Sequence, residues 1–209
     1  QSCAGGGGRI DLGFLGRTDQ VWTSDNTDAL DRIRIQEGFS LAYPARAMEA
    51  WVTHETNHIT KRTLPLSLRF DVAMRGALGI GSSLNELSDA ELAEYASYIA
   101  FYKQFRHVVQ VGILYRLQRL EEADVSIVQY VSADGREAVQ SVTVRDWGNG
   151  RFPPPAPLKA LIPTAIYVAR NRHGQAVHEA NGYELMTLGI PLPNEYPGYS
   201  QTLHLKMVE

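Results

Sequence analysis

The stretch from Gln20 to Ala29 constrains this chain more than any other, because it combines the signal for a strand end with the signal for a helix start. Val21 and Trp22 favour a strand, and the polar run Ser24 to Thr27 breaks it. From Ala29 onward, apolar residues recur at helical spacing. Asp25 is therefore expected at the end of a strand. In a β/α barrel, that rim carries the catalytic side chains.

A second interpretation of this stretch is helix capping, because Asp and Thr side chains accept hydrogen bonds from the free N–H groups of a first helical turn. Thr27 can cap the helix by itself, which leaves Asp25 free to point elsewhere. The pattern predicts a short helix from Asp28 to Glu37, with Gly38 as its stop. The acidic residues of the first turn are expected to stabilise that helix and to take no part in catalysis.

A glycine-rich run, Ala4 to Arg9, lies upstream of this stretch. It lacks the Lys-Ser/Thr pair that closes a phosphate-binding loop, so a nucleotide site is disfavoured. Two interpretations remain: a flexible turn, or a backbone that must approach a ligand closely, as Gly5 and Gly6 would allow. Arg9 is either a surface charge or the partner of a nearby carboxylate. Cys3 is either a small buried hydrophobe or a pocket residue.

The run Cys-x-Gly-Gly-Gly-Gly-Arg-x-Asp, followed by Trp-Thr-Ser-Asp-Asn-Thr-Asp-Ala, resembles the α-galactosidases of glycoside hydrolase family 36. The resemblance extends over nearly the whole chain, to the Tyr-Glu-Leu-Met-Thr-Leu-Gly-Ile-Pro-Leu run that begins at Tyr183. It implies that Asp25 is the general acid/base and that Cys3 lines the galactose pocket. Gly5, Gly6 and Arg9 are then expected to be substrate-binding. For Trp22, packing on galactose and packing in a barrel core both stay open.

The resemblance implies an α/β plus all-β fold: the C-terminal part of a (β/α)8 TIM barrel over residues 1–110, followed by an antiparallel β-sandwich over 111–209. The expected activity is retaining hydrolysis of terminal α-linked galactose from oligosaccharides such as melibiose and raffinose. The nucleophile, an Asp in a Lys-x-Asp triplet, is expected upstream of residue 1, since no such triplet occurs here. The 209 residues alone are therefore expected to be inactive. A galactosyltransferase related to raffinose or stachyose synthase, and a non-catalytic carbohydrate-binding chain, are the alternatives.

Local patterns predict the remaining elements. A helix is expected from Pro65 to Met74, a small-residue strand from Ala77 to Gly81, and a helix capped by Ser88 and Glu91 that ends near His107. After residue 111, alternating apolar residues flank an Asp134-Gly135 turn and recur at 165–169 and 202–207. This spacing is typical of a β-sandwich.

The segment His54-Glu55-Thr56-Asn57-His58 matches the zinc-protease pattern His-Glu-x-x-His. That pattern binds zinc only on a helix, where residues four apart share a face. The β-branched flanks predict a loop instead, so we expect no metal and no cofactor.

The composition of the chain excludes few further classes of protein. A net charge of -3 disfavours a nucleic-acid partner, and no apolar run approaches the ~20 residues that span a bilayer. A single cysteine allows no internal disulfide, which favours a cytoplasmic location. The expected partner is an α-galactoside oligosaccharide, and a homo-oligomer is possible.

Overall fold

The computed structural model describes residues 1–3, 10–145, 154–192 and 199–208. The chain divides into two compact units, residues 1–99 and 100–209, and the division falls inside a long helix. The boundary predicted near residue 110 lies close to the end of that helix and stays a prediction.

The first unit alternates short strands with helices. Its elements, in chain order, are α1 (Leu12–Leu15), α2 (Ala29–Ser40), β1 (Glu49–Val52), α3 (Leu66–Ala73), β2 (Ala77–Ile80) and the first part of α4 (Asp89–Val111). Short 3₁₀ turns lie at Ala45–Ala47 and Leu84–Glu86.

Four segments of this unit run parallel in chain order. β1 pairs with β2 in parallel register, from Glu49 opposite Ala77 to Val52 opposite Ile80. Val21 forms a parallel bridge to Met48 on one side and to Ser2 on the other. Because the four segments are parallel, their carboxyl ends meet at one edge. The sequence-predicted strand end at Trp22 is one of them.

Asp28 determines where α2 begins. Its side chain accepts hydrogen bonds from the backbone N–H groups of Leu30 (3.0 Å) and Asp31 (3.3 Å). The prediction that Thr27 caps this helix was therefore wrong. The predicted stop at Gly38 was wrong as well, because α2 continues to Ser40 and buries Phe39 in its last turn.

The capping box that opens α4 forms as predicted. Glu91 accepts from the Ser88 backbone N–H at 2.8 Å, and Ser88 Oγ accepts from the Glu91 N–H at 3.4 Å. The helix runs four residues beyond the predicted end at His107, since Val108 and Val109 are buried and extend its apolar face.

The second unit is an antiparallel sheet with two short helices. Its elements are the rest of α4, β3 (Ile113–Gln118), α5 (Leu120–Ala123), β4 (Val125–Val131), β5 (Glu137–Val144), β6 (Ile166–Arg170), β7 (Ala176–Asn181), α6 (Gly182–Leu188) and β8 (Ser200–Met207). The strand order is β3-β4-β5-β8-β6-β7. The mixed helix and antiparallel-sheet character is thus confirmed. In the described residues these six strands form one sheet, so the two-sheet sandwich stays a prediction.

The predicted Asp134-Gly135 turn joins β4 to β5. Gly135 adopts φ +72°, a left-handed conformation that favours glycine. Buried side chains from β4, β5, β6 and β8 form the core of this unit with Leu158, Leu161 and Leu185. None of the helices in the described ranges has the length and apolarity needed to cross a bilayer.

Candidate active site

A cavity of about 460 Å³ opens at the carboxyl ends of the parallel segments in the first unit. Each segment contributes at least one residue to the lining, from its end or from the loop that follows it. The lining residues on which the site depends are Cys3, Trp22, Asp25, Trp51, Asn57 and Gly81. Three residues predicted from sequence, Cys3, Trp22 and Asp25, therefore lie around one cavity.

Asp25 lies in the turn between the Val21-Trp22 segment and α2, and its side chain is exposed. Its Oδ1 accepts a hydrogen bond of 2.8 Å from Nε1 of Trp22. It does not cap the helix, because Asp28 does. The carboxyl group thus has a fixed orientation and an open side toward the cavity.

Trp22 has little ring surface left for a ligand. Its side chain is 7% exposed, and its ring centroid lies 4.6 Å from that of Trp51, with the planes tilted by 45°. The Arg32 guanidinium carbon lies 5.1 Å from the centroid of the same ring. Stacking of galactose on Trp22 stays a prediction. What the geometry assigns directly to Trp22 is the hydrogen bond to Asp25.

Arg32 ties the turn that carries Asp25 to the strands. Its guanidinium donates to the backbone carbonyl of Ser24 (3.3 Å) and to that of Glu49 (2.6 Å). Burial lowers the pKa of Arg32 to about 10, and the charge of Glu49 opposes that shift. At neutral pH the guanidinium stays charged and keeps its five donors, which suits a bridge between two backbone carbonyls.

Trp51, at the carboxyl end of β1, is a cavity residue that the sequence analysis missed. Its side chain is 37% exposed, which is unusual for so large an apolar group. The indole lies across β2, where a Cβ on Gly79 would come within 2.4 Å of its Cδ1 and a Cβ on Gly81 within 2.9 Å of its Cε3. The sequence signal for this packing was the pair of glycines, one within the apolar strand β2 and one directly after it.

The loop after β1 is held against the start of α2 by side-chain hydrogen bonds. Thr27 Oγ1 accepts from Asn57 Nδ2 and from Thr53 Oγ1, both at 3.0 Å. Asn57 is buried, and its Oδ1 accepts from the backbone N–H groups of Ile59 and Thr60. Thr27 therefore fixes the loop beside Asp25 instead of capping the helix.

Arg62 anchors the same loop through carboxylates. Its Nε lies 2.7 Å from Oδ2 of the buried Asp28, and its Nη2 binds Asp31. Burial acts to raise the pKa of Asp31, but hydrogen bonds from Arg62 and Asn26 lower it below its ordinary value. As expected, the two carboxylates act in the folding of α2; they are absent from the cavity lining.

Cys3 is exposed, so its interpretation as a small buried hydrophobe was wrong. It follows Ser2, whose backbone N–H donates to the carbonyl of Gln20 and whose carbonyl accepts from the N–H of Trp22. The predicted substrate-binding residues Gly5, Gly6 and Arg9 lie outside the described residues.

The His54-Glu55-x-x-His58 segment lies in the loop after β1 and contains no helical residue. Within the described ranges, no group of three or more His, Cys, Asp or Glu side chains could hold a metal ion. His54 and His58 line the cavity instead, as separate side chains of one loop.

The melibiase family model matches residues 1–112, which is more than half of the chain. The chain belongs to the melibiase family. The stretch that this model matches includes every strand, helix and loop that lines the cavity.

Similar proteins of this family are α-galactosidases. The chain is 39% identical over 194 residues to α-galactosidase AgaA of Geobacillus stearothermophilus; the match covers 92% of the chain and 26% of AgaA. The crystal structure of the family 36 α-galactosidase AgaB from the same organism superimposes with a TM-score of 0.91 at 38% identity, over 99% of the chain and 28% of AgaB. A variant of AgaA in complex with raffinose superimposes with a TM-score of 0.90 at 36% identity, over 99% of the chain and 28% of that structure.

These comparisons confirm the resemblance to family 36 α-galactosidases. The chain spans about a quarter of the length of AgaA.

Proposed function

We propose that this chain forms part of a retaining α-galactosidase in which Asp25 is the general acid/base. The observation that carries the proposal is the position of Asp25: its carboxyl group is oriented by Trp22 Nε1 at 2.8 Å and lines the same cavity as Cys3. The raffinose complex of a relative with 36% identity supports an α-galactoside oligosaccharide as the ligand.

In a retaining mechanism two carboxyl groups lie about 5 Å apart across the sugar. The nucleophile, which we expect upstream of residue 1, attacks the anomeric carbon. The glycosidic C–O bond breaks, and the departing oxygen takes the proton of Asp25. In the second step the Asp25 carboxylate takes a proton from water, whose oxygen attacks the same carbon and releases the nucleophile.

The fold belongs to the same proposal. Four parallel segments joined in chain order through helical connections support the C-terminal part of a (β/α)8 barrel, with the cavity at the carboxyl ends of its strands. The antiparallel sheet of the second unit supports the β-sandwich proposed to follow it. A cytoplasmic location and a homo-oligomer remain proposals from the sequence.

The test is Asp25→Ala in the longest natural chain that carries these residues. Raffinose and dinitrophenyl α-galactoside are compared, since a sugar needs a proton to leave and an activated phenol does not. General acid catalysis contributes about 10²- to 10⁴-fold, and we expect a loss of this size on raffinose and a much smaller one on the phenyl substrate. Equal losses on both would refute the role.

Glu55→Gln is the matched control. Glu55 is an exposed carboxylate on the loop beside the site and does not line the cavity. We expect unchanged rates on both substrates. Product analysis with dinitrophenyl α-galactoside and excess sucrose then distinguishes hydrolysis, which releases galactose, from galactosyl transfer, which forms a trisaccharide.

A further inference from the structure

Trp51 presents a partly exposed aromatic ring to the cavity. It is 37% exposed, whereas its neighbour Trp22 is 7% exposed. Both rings line the cavity that contains Asp25. A tryptophan held partly open to solvent inside a pocket offers a flat apolar face to a ligand.

The neighbouring strand leaves room for this ring. Two glycines face the ring, one in β2 and one directly after it, and the indole fills the space that their side chains would take. A Cβ at Gly79 would lie 2.4 Å from Cδ1 and 2.6 Å from Nε1 of Trp51. At Gly81 a Cβ would lie 2.9 Å from Cε3. One side of the indole is therefore supported by β2, and Trp22 supports it at a ring distance of 4.6 Å. Because the ring is already held in place, the binding of a ligand that stacks on it costs little side-chain conformational entropy.

The place of Trp51 relative to Asp25 indicates which sugar it would contact. A general acid must lie within hydrogen-bonding reach of the departing oxygen, so the leaving sugar begins at Asp25. Trp22 contacts both residues: its Nε1 binds Asp25 and its ring packs on Trp51. The exposed face of Trp51 is thus one aromatic ring away from the carboxyl group. A cavity of about 460 Å³ has room for more than one sugar ring.

We propose that Trp51 is the stacking platform for the sugar that leaves, and therefore a specificity-determining residue for sugar leaving groups. This inference rests on the proposed α-galactosidase function. The apolar face of the leaving pyranose packs on the indole, while Asp25 protonates its glycosidic oxygen. Trp51 contributes to binding and orientation and takes no part in proton transfer.

The experiment compares raffinose with α-galactosyl fluoride, whose leaving group has no ring, in the longest natural chain that carries these residues. Trp51→Leu keeps an apolar side chain against Trp22 but removes the flat face. We expect kcat/KM for raffinose to fall about tenfold, which is the size of an aromatic stacking contact, and kcat/KM for the fluoride to stay within about twofold. Trp51→Tyr should restore most of the raffinose rate.

Gly79→Ala tests the same platform without removing the indole. Its new Cβ would displace the ring, and we expect the same selective loss on raffinose. Gly38→Ala is the matched control, because a Cβ there meets nothing within 4 Å on the exposed side of α2. It should leave both substrates unaffected.

The outcomes separate this inference from the proposed function. If the longest natural chain, without substitutions, hydrolyses both substrates, but Trp51→Leu and Gly79→Ala lower kcat/KM for both equally or for neither, the platform is refuted and the α-galactosidase assignment stands. If the longest natural chain, without substitutions, hydrolyses neither substrate, both proposals fail.

Discussion

The hydrogen bond from Trp22 to Asp25 predicts a positioning role that can be measured. An indole N–H is a donor only, so the Oδ1 that receives it must stay an acceptor. When Asp25 is protonated, the proton is then carried by Oδ2, the oxygen free to face the departing group. Trp22→Phe removes the donor and keeps an aromatic ring beside Trp51.

The expected magnitude follows from the geometry. Hydrogen bonds to charged groups contribute about 1.5–3 kcal/mol, and the exposure of Asp25 argues for the lower end. Since about 1.4 kcal/mol corresponds to a factor of ten, we expect Trp22→Phe to lower kcat on raffinose about tenfold. The rate on dinitrophenyl α-galactoside should change far less, because that substrate leaves without a proton.

A double-mutant cycle separates this effect from lost packing, which matters because Trp22 is largely buried. In an Asp25→Asn background the proposed general acid is already missing, so Trp22→Phe should reduce the rate on raffinose no more than it reduces the rate on the dinitrophenyl substrate. An undiminished tenfold loss in that background would refute the positioning role. So would equal losses on both substrates in the single variant.

Two further predictions concern the stability of the second unit. Burial lowers the pKa of His204, and the hydrogen bond that its Nε2 makes to the Glu137 carboxylate opposes that shift. Burial acts to raise the pKa of Glu137, but the hydrogen bond with His204 and the nearby charges of Lys206 and His107 lower it below its ordinary value. The unfolded state therefore binds more protons than the folded state as pH falls, below about 6.5 at His204 and below about 4.5 at Glu137. Unfolding followed by circular dichroism should show stability decreasing from pH 7 to pH 4. The slope should be shallower in His204→Gln, which removes this titrating group and the charge it places beside Glu137; a slope identical to that of the unaltered chain would contradict this. Gly135→Ala should lower the free energy of unfolding about 1 kcal/mol more than Gly174→Ala does. Both glycines have positive φ, but only at Gly135 would a Cβ come within 3.1 Å of a backbone oxygen. Equal effects of the two variants in thermal denaturation would show that this contact does not destabilise the fold.

Local signals in the sequence were sufficient where the physics is local. The capping box at Ser88 and Glu91 involves residues three apart, and the turn at Asp134-Gly135 requires only a residue that tolerates positive φ. Both formed as predicted. The errors at the ends of helices arose where burial overrode these signals: α2 passes Gly38 to bury Phe39, and α4 passes His107 to bury Val108.

The interpretation of Thr27 failed for a tertiary reason. In sequence Thr27 precedes the helix and its hydroxyl is a good acceptor for the first turn. In the structure its hydroxyl accepts from Asn57 and Thr53, which are 30 and 26 residues away. No local pattern indicates partners at such separations.

The sequence by itself determined the family, the strand-to-helix turn that carries Asp25, and the alternation of elements on either side of α4, because motifs, caps and turn residues act over a few neighbouring positions. The tertiary structure alone decided the surroundings of Trp51. A tryptophan in a strand is ordinarily a core residue, and only the parallel pairing of β1 with β2 brings two glycines beneath it and leaves its ring open to the cavity. The exposure and the neighbours of a side chain depend on which segments pair, and the packing of the whole unit determines that pairing.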